Sequence, residues 1–122
     1  MALPALTRAL KLQSKASQVG FDWHDPHAVL RKIREEADEI EAALDAEQNT
    51  AAAAEVGDLL FAAVNLARHL HADPETLLRQ TNQKFERRFA HIESALAAAG
   101  KTPKESTLAE MDGLWEQAKT QE

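Results

Sequence analysis

What most constrains this chain is how rarely it is punctuated. Four Gly and four Pro in 122 residues leave little material for tight β-turns. The breaks that exist separate long stretches of helical periodicity. The first stretch runs from about Pro4 to Val19, carries Leu6, Leu10, Leu12 and Ala16, and stops at Gly20. The segment from Phe21 to Pro26 reads as a loop, with Asp25 as an N-cap and Pro26 at the first helical position. A second helix continues to about Ala46, and after a break at Asn49-Thr50 a third covers about Ala51 to His71. Asp73-Pro74 caps a fourth, which reaches about Ala99 and ends at Gly100. A short last helix runs from about Ser106 to Lys119. No internal repeat, low-complexity tract or β-alternation interrupts the series. The expectation is an all-α fold, a single domain over 1–122, built as an antiparallel bundle of four to five helices centred on helices two to four.

Composition narrows the function. The chain has no cysteine, which removes disulfides, thiolate zinc sites, iron–sulfur clusters and Cys nucleophiles together. With 14 Lys+Arg against 20 Asp+Glu the net charge is −6, which argues against binding nucleic acid through its phosphate backbone. A nucleotide that arrives with metal ions is not excluded by that argument. The start Met1-Ala2-Leu3-Pro4 has neither the basic residues nor the long apolar run of a secretory signal. No run approaches the ~20 apolar residues of a membrane helix. A soluble, cytoplasmic protein with no membrane partner is therefore expected.

The chemistry lies in carboxylates on two successive helices. At about 100° per residue, the apolar stripe of helix two is Val29, Leu30, Ile33, Ala37, Ile40 and Leu44. Glu36 lies on its shoulder, Lys32 and Glu39 just beyond on the same side, and Glu35 almost opposite. On helix three the stripe is Val56, Leu59, Ala63, Leu66 and Leu70, with Glu55 and Asp58 displaced to one side of it. Two i,i+3 carboxylate pairs can thus face one another across neighbouring helices. Partly desolvated like charges must protonate, separate or bind a cation. Oxygen ligands suit Mg²⁺ or Mn²⁺, which also coordinate substrate phosphates. The same acidic residues also suit a solvated surface.

Helix four carries a basic counterpart. Lys84 and Arg88 share a face at i,i+4, and Arg87 lies close to Lys84 at i,i+3. They form either a surface ladder with Glu86 or a set of cations for phosphate oxygens. Phe85 and Phe89 share another face and continue into Ile92 and Leu96, as core residues would. Trp115, on the last helix, is a packing anchor or a surface for a base to stack on. Asn65 lies on the Asp58 side of helix three, a position that by itself rarely means ligand binding. His24, His27, His69, His71 and His91 lack metal-ligand spacing, and no Glu-x-x-His pair suggests a di-iron centre. Phe61 and Val64 face away from the main stripe of helix three, making that helix apolar nearly all round. In so small a domain this implies a subunit interface, and hence a dimer or tetramer.

Taken together, these segments resemble a known family. Glu35-Glu36-x-x-Glu39 followed by Glu55-x-x-Asp58 resembles the signature of all-α nucleoside triphosphate pyrophosphohydrolases. Val19 to Trp23, Glu55 to Phe61, Asn65 to Arg68, Thr81 to Phe89 and Met111 to Trp115 are similar, in order, to the catalytic C-terminal domain of the MazG branch. The resemblance covers about Lys15 to Lys119. It implies Mg²⁺-dependent hydrolysis of nucleoside triphosphates to the monophosphate and pyrophosphate, with Mn²⁺ as a possible substitute. It implies metal ligands at Glu36, Glu39, Glu55 and Asp58. Nucleotide contacts follow at Lys32 through Glu36, Lys84 through Arg88, and Trp115. Glu35 or Glu39 is then available to accept the attacking water's proton. MazG proteins often carry two such domains in tandem, whereas this chain has one. Narrower relatives, such as a dUTP/dCTP pyrophosphatase or phosphoribosyl-ATP pyrophosphohydrolase, share the acidic motifs but leave the Lys84–Phe89 and Leu114-Trp115 matches unexplained. A non-catalytic helical module with a solvated acidic face is the reading from a different class.

Overall fold

The computed structural model describes residues 2–122, and among them there is no β-strand. Five α-helices form: α1 (Ala5–Ser17), α2 (Pro26–Asp45), α3 (Asn49–His69), α4 (Pro74–Ala98) and α5 (Leu108–Thr120). A single 3₁₀ turn, Pro103–Glu105, precedes α5 and was not expected from periodicity. Its capping box, with Thr102 and Glu105 satisfying each other's backbone N–H groups, explains it. The anticipated caps hold: Asp25 Oδ1 accepts from the Ala28 N–H at 2.9 Å and Asp73 Oδ2 from the Thr76 N–H at 3.0 Å. One break falls elsewhere. Asn49 and Thr50 begin α3, and the link from α2 is Ala46 to Gln48, with Glu47 in the left-handed region at φ 56°.

Four helix ends close in the same way. The N–H groups of Phe21, Gln48, Ala72 and Lys101 reach back to the carbonyls of Ala16, Ala43, Ala67 and Leu96 at 2.8–3.1 Å. Each bond spans a residue with positive φ: Gly20, Glu47, His71 and Gly100. This is the glycine-favouring helix terminator, built twice without glycine.

The chain divides into two compact units, one up to Leu77 and the other from Leu78. In the first, α3 packs along α2, to which the three-residue link joins it as an antiparallel hairpin, and against α1. The buried positions of α2 are Val29, Glu36 and Ala43, seven residues apart and so nearly in line. The predicted stripe is therefore corrected: Leu44 is exposed, Ala37 is open, and Glu36 occupies the seam itself rather than its shoulder. On α3, Ala52, Ala62, Val64, Asn65 and Ala67 are buried while Val56, Leu60 and Leu70 are exposed. The seam uses small residues, which let the two backbones approach, and leaves larger apolar side chains outside. A periodicity reading that weights residues by size alone picks the wrong row.

Helix α3 also departs from the expectation about apolar runs. Its 21 residues, with a mean hydropathy of 1.3 in the most apolar window, are long and apolar enough to cross a membrane by length and composition. The same helix carries Glu55 and Asp58 on one side, and its apolarity comes largely from alanine.

In the second unit Ile92, Leu96 and Ala118 are buried. Phe85, expected in the core with Phe89, is more than half exposed. It stacks parallel on Phe89 at 6.0 Å and tilts against Trp115 at 5.5 Å. Phe89 is half-buried, and the apolar row of α4 is fully buried from Ile92 onward.

Candidate active site

Three carboxylates meet across the α2–α3 seam. One oxygen each from Glu36, Glu39 and Glu55 lies within 4.8 Å of the others. Glu36 is only 4% exposed, because its turn of α2 lies on the line of Val29 and Ala43. Its Oε1 sits 3.1 Å from Lys32 Nζ, one helical turn earlier. Its other oxygen, Oε2, and Oε2 of Glu55 are buried with no hydrogen-bond partner. Buried carboxylate oxygens without donors are costly, and a proton, a cation or an incoming hydrogen-bond donor relieves them.

The electrostatics express that cost. Hydrogen bonding with Glu36 and Glu39, reinforced by their charge, pushes the pKa of Glu55 up from the usual 4.5 to about 7. Glu36 is held below the ordinary value, through its hydrogen bond with Glu55 and then through Lys32. Two carboxyls driven in opposite directions share a proton where no metal ion takes its place. Lys32 is raised by the Glu36 carboxylate, so it stays charged. The donor set of three carboxylates, two of which carry an orphaned oxygen, fits a divalent cation of the Mg²⁺ type.

Beside the cluster lies a cleft of about 290 Å³, walled by Trp23, Val29 and Phe61 and reached by Lys32, Glu36, Asp58 and Asn65. Asp58, expected as a fourth ligand, borders this cleft and is not part of the three-oxygen group. Glu35 is mostly exposed, 3.6 Å from Lys32, and also outside that group, as its near-opposite position on α2 implied.

A second network, which periodicity did not reveal, supports the cleft wall. The Asp22 carboxylate accepts from the Arg68 guanidinium and lies 3.1 Å from His69 Nε2. Burial works against its charge, yet the bonds from Arg68, His69 and the Trp23 backbone hold its pKa below the usual value. Arg68 also donates to Asn65 Oδ1, at 3.1 Å from Nε and 2.8 Å from the terminal nitrogen. The signal for this network was the isolated Asp22-Trp23 pair just before a capped helix, with Arg68 three residues after Asn65.

The basic cluster belongs to the second unit and is described on its own. Arg88 donates to both carboxylate oxygens of Glu122, at 3.0 and 2.9 Å, rather than to Glu86. Its guanidinium also lies over the Trp115 ring, 5.1 Å from the centroid. Lys84 is half-buried and Arg87 exposed. Arg87, Arg88 and His91 border a cavity of about 180 Å³ with Glu122.

Comparison with known proteins bears directly on these residues. A model of the MazG nucleotide pyrophosphohydrolase domain matches residues 24–93. That span holds the four expected metal ligands and the Lys84–Arg88 segment, and stops short of Trp115. The chain is 44% identical over 117 residues to the "nucleoside triphosphate pyrophosphohydrolase/pyrophosphatase MazG" of Thermotoga maritima, covering 96% of this chain and 45% of that protein. It is 45% identical over 123 residues to the "nucleoside triphosphate pyrophosphohydrolase" of Escherichia coli K12, covering 99% and 47%. The chain thus spans just under half the length of these two relatives. With the family's domain laid over the two helices that bring the carboxylates together, and over more than half of the sequence, this chain belongs to the MazG nucleotide pyrophosphohydrolase domain family.

Proposed function

We propose that residues 1–122 work as one catalytic domain that hydrolyses nucleoside triphosphates between the α and β phosphates, releasing the monophosphate and pyrophosphate. The observation that carries this reading is the carboxylate group at the α2–α3 seam, whose orphaned oxygens of Glu36 and Glu55 lack any partner. Glu36, Glu39 and Glu55, joined by Asp58 from the cleft edge, would hold Mg²⁺, with Mn²⁺ as a substitute. When bound, that ion supplies charge neutralisation of the triphosphate and lowers the pKa of a water.

The chain's own side chains do the rest. Lys32, kept charged by Glu36, faces the cleft and attracts a phosphate oxygen. Glu39, exposed at the rim of the group, or Glu35 one turn earlier, accepts the proton of the attacking water. In the second unit, Lys84, Arg87 and Arg88 are the cations available for phosphate oxygens. Trp115 lies under the Arg88 guanidinium, 5.1 Å from ring centroid to Cζ, and helps to position that fork.

The exposed Val56, Leu60 and Leu70 on α3, with Leu44 on α2, support a homo-oligomer, a dimer or tetramer, in which a second copy covers this row. The nucleotide substrate is the small-molecule partner; neither nucleic acid nor a membrane is one. The reading is that of a cytoplasmic enzyme.

The test is pyrophosphate release measured across common and damaged nucleoside triphosphates with Mg²⁺. Turnover that yields equal monophosphate and pyrophosphate supports the proposal. Broad turnover fits the MazG type, and a single strong substrate fits a narrower relative. No turnover of any member, in protein that is folded and supplied with Mg²⁺, rejects it.

A further inference from the structure

Arg88 is held on two sides within the second unit, and the group on one of them is an anion. Its Nε and Nη2 donate in parallel to Oε1 and Oε2 of Glu122, at 3.0 and 2.9 Å. That edge of a guanidinium presents two N–H groups in the spacing of a carboxylate or a phosphate. The ring of Trp115 covers one face, 5.1 Å from its centroid to Cζ. The Arg88 side chain is left 13% exposed. With Glu122 in place, the bidentate edge of Arg88 is closed to any other anion.

The pair is built unequally. Arg88 lies within α4, whereas Glu122 lies beyond the end of α5 at Thr120. The Glu122 side chain is 35% exposed. Its N–H reaches the Lys119 carbonyl only at 3.4 Å, longer than an ordinary hydrogen bond. A cavity of about 180 Å³ lies against both residues, bordered also by Arg87 and His91. The carboxylate is therefore weakly tethered and has open space beside it. It also stands at the focus of the unit's basic cluster. The bond from Arg88, and then the charges of Arg88, Arg87 and Lys84, hold its carboxyl below the usual value against the opposing effect of desolvation. An anion drawn by those three cations arrives where Glu122 already sits.

We infer that Glu122 is an internal competitor for phosphate: its carboxylate occupies the bidentate edge of Arg88, and an incoming phosphate group must displace it. This rests on the proposed reading of Lys84, Arg87 and Arg88 as cations for phosphate oxygens. A partly exposed ion pair is worth little, so the carboxylate lowers affinity rather than abolishing it. A contact held about nine-tenths of the time reduces apparent affinity about tenfold, because only the remaining molecules are ready to bind. The same factor applies to every anion that needs Arg88, substrate and pyrophosphate alike. The opposite role is a positioning one, in which Glu122 fixes Arg88 and phosphate takes the other edge of the fork. The two roles carry opposite signs in experiment.

The test is calorimetric titration of the full chain with inorganic pyrophosphate in EDTA and about 0.15 M salt, so that no metal ion bridges and long-range fields are screened. Glu122→Gln and Glu122→Ala should each bind pyrophosphate about three- to tenfold more tightly than the wild type. In an Arg88→Ala background the gain from Glu122→Gln should shrink to less than about twofold. Glu116, which acts on Arg88 through its charge, is the control: Glu116→Gln should also give less than about twofold, since it leaves the Arg88 edge occupied. The inference is overturned if Glu122→Gln binds pyrophosphate no better than the wild type, or less well, as a positioning role requires. It is equally overturned if the gain survives without Arg88, if Glu116→Gln matches it, or if no form binds. Steady-state pyrophosphate release is a separate readout. A lower KM with unchanged kcat in Glu122→Gln agrees with displacement, while tighter binding without turnover of any triphosphate defeats the proposed reaction and leaves the competitor standing.

Discussion

The two units carry their charges in opposite conditions. At the α2–α3 seam, carboxylate oxygens of Glu36 and Glu55 are buried and unpartnered. On α4, Arg88 is fully engaged, by both oxygens of Glu122 and by the Trp115 ring. Each is a cluster of like-charged residues at helical spacing, and sequence patterning treats them alike. The difference teaches that density of charge does not mark a reaction centre; unmet bonding does. The acidic group leaves oxygens without partners, while the basic group has assembled its own counter-charge.

The comparison can be broken most severely at the acidic side. Replacing Glu55 or Asp58 by Ala should lower turnover by roughly 10²–10³-fold or more while far-UV circular dichroism stays helical. Near-normal activity in Asp58→Ala would confine the metal site to the Glu36, Glu39 and Glu55 group. On the basic side the effect should be smaller. Arg88→Ala should raise KM by roughly tenfold, the order of a lost charge-assisted bond, with an unchanged KM reducing the cluster to structure.

The pH dependence sharpens the same contrast. Glu55 titrates near 7 folded against 4.5 for the ordinary group, so the folded state holds its proton through that window. Its contribution to stability is present below about pH 4.5 and is lost as pH rises through 7. Without metal, Glu55→Gln should match the wild-type melting temperature at pH 5 and exceed it at pH 8. A constant difference across that range would contradict the shared-proton reading. The smallest effect concerns helix ends. Glu47 occupies the left-handed position that Gly100 fills after α4, so Glu47→Gly should stabilise by about 0.5–1 kcal/mol in urea denaturation, and Gly100→Ala should destabilise.

Much of this was legible in advance, for definite reasons. Asp25-Pro26 and Asp73-Pro74 announced two helix starts because an Asx cap and an N-terminal proline act locally. Glu36, Glu39 and Glu55 were legible as partners because i,i+3 spacing on successive helices is a geometric statement. The rotation of each helix was not legible. Alanine lets backbones approach, so Ala43, Ala52 and Ala62 claimed the seam while Leu44, Val56 and Leu70 stayed outside. Glu122 escaped notice because its partner, Arg88, lies 34 residues away on α4. Only the fold decides that such a pair meets.

The central claim is that the α2–α3 carboxylates hold a divalent ion, and titration of Mn²⁺ followed by electron paramagnetic resonance tests it directly. The wild-type protein should bind the ion, the Glu36→Gln/Glu55→Gln double variant should lose at least about tenfold in affinity, and Lys84→Ala/Arg88→Ala should leave it unchanged. Equal affinity in the wild type and the carboxylate variant, or no binding in any form, would contradict the account.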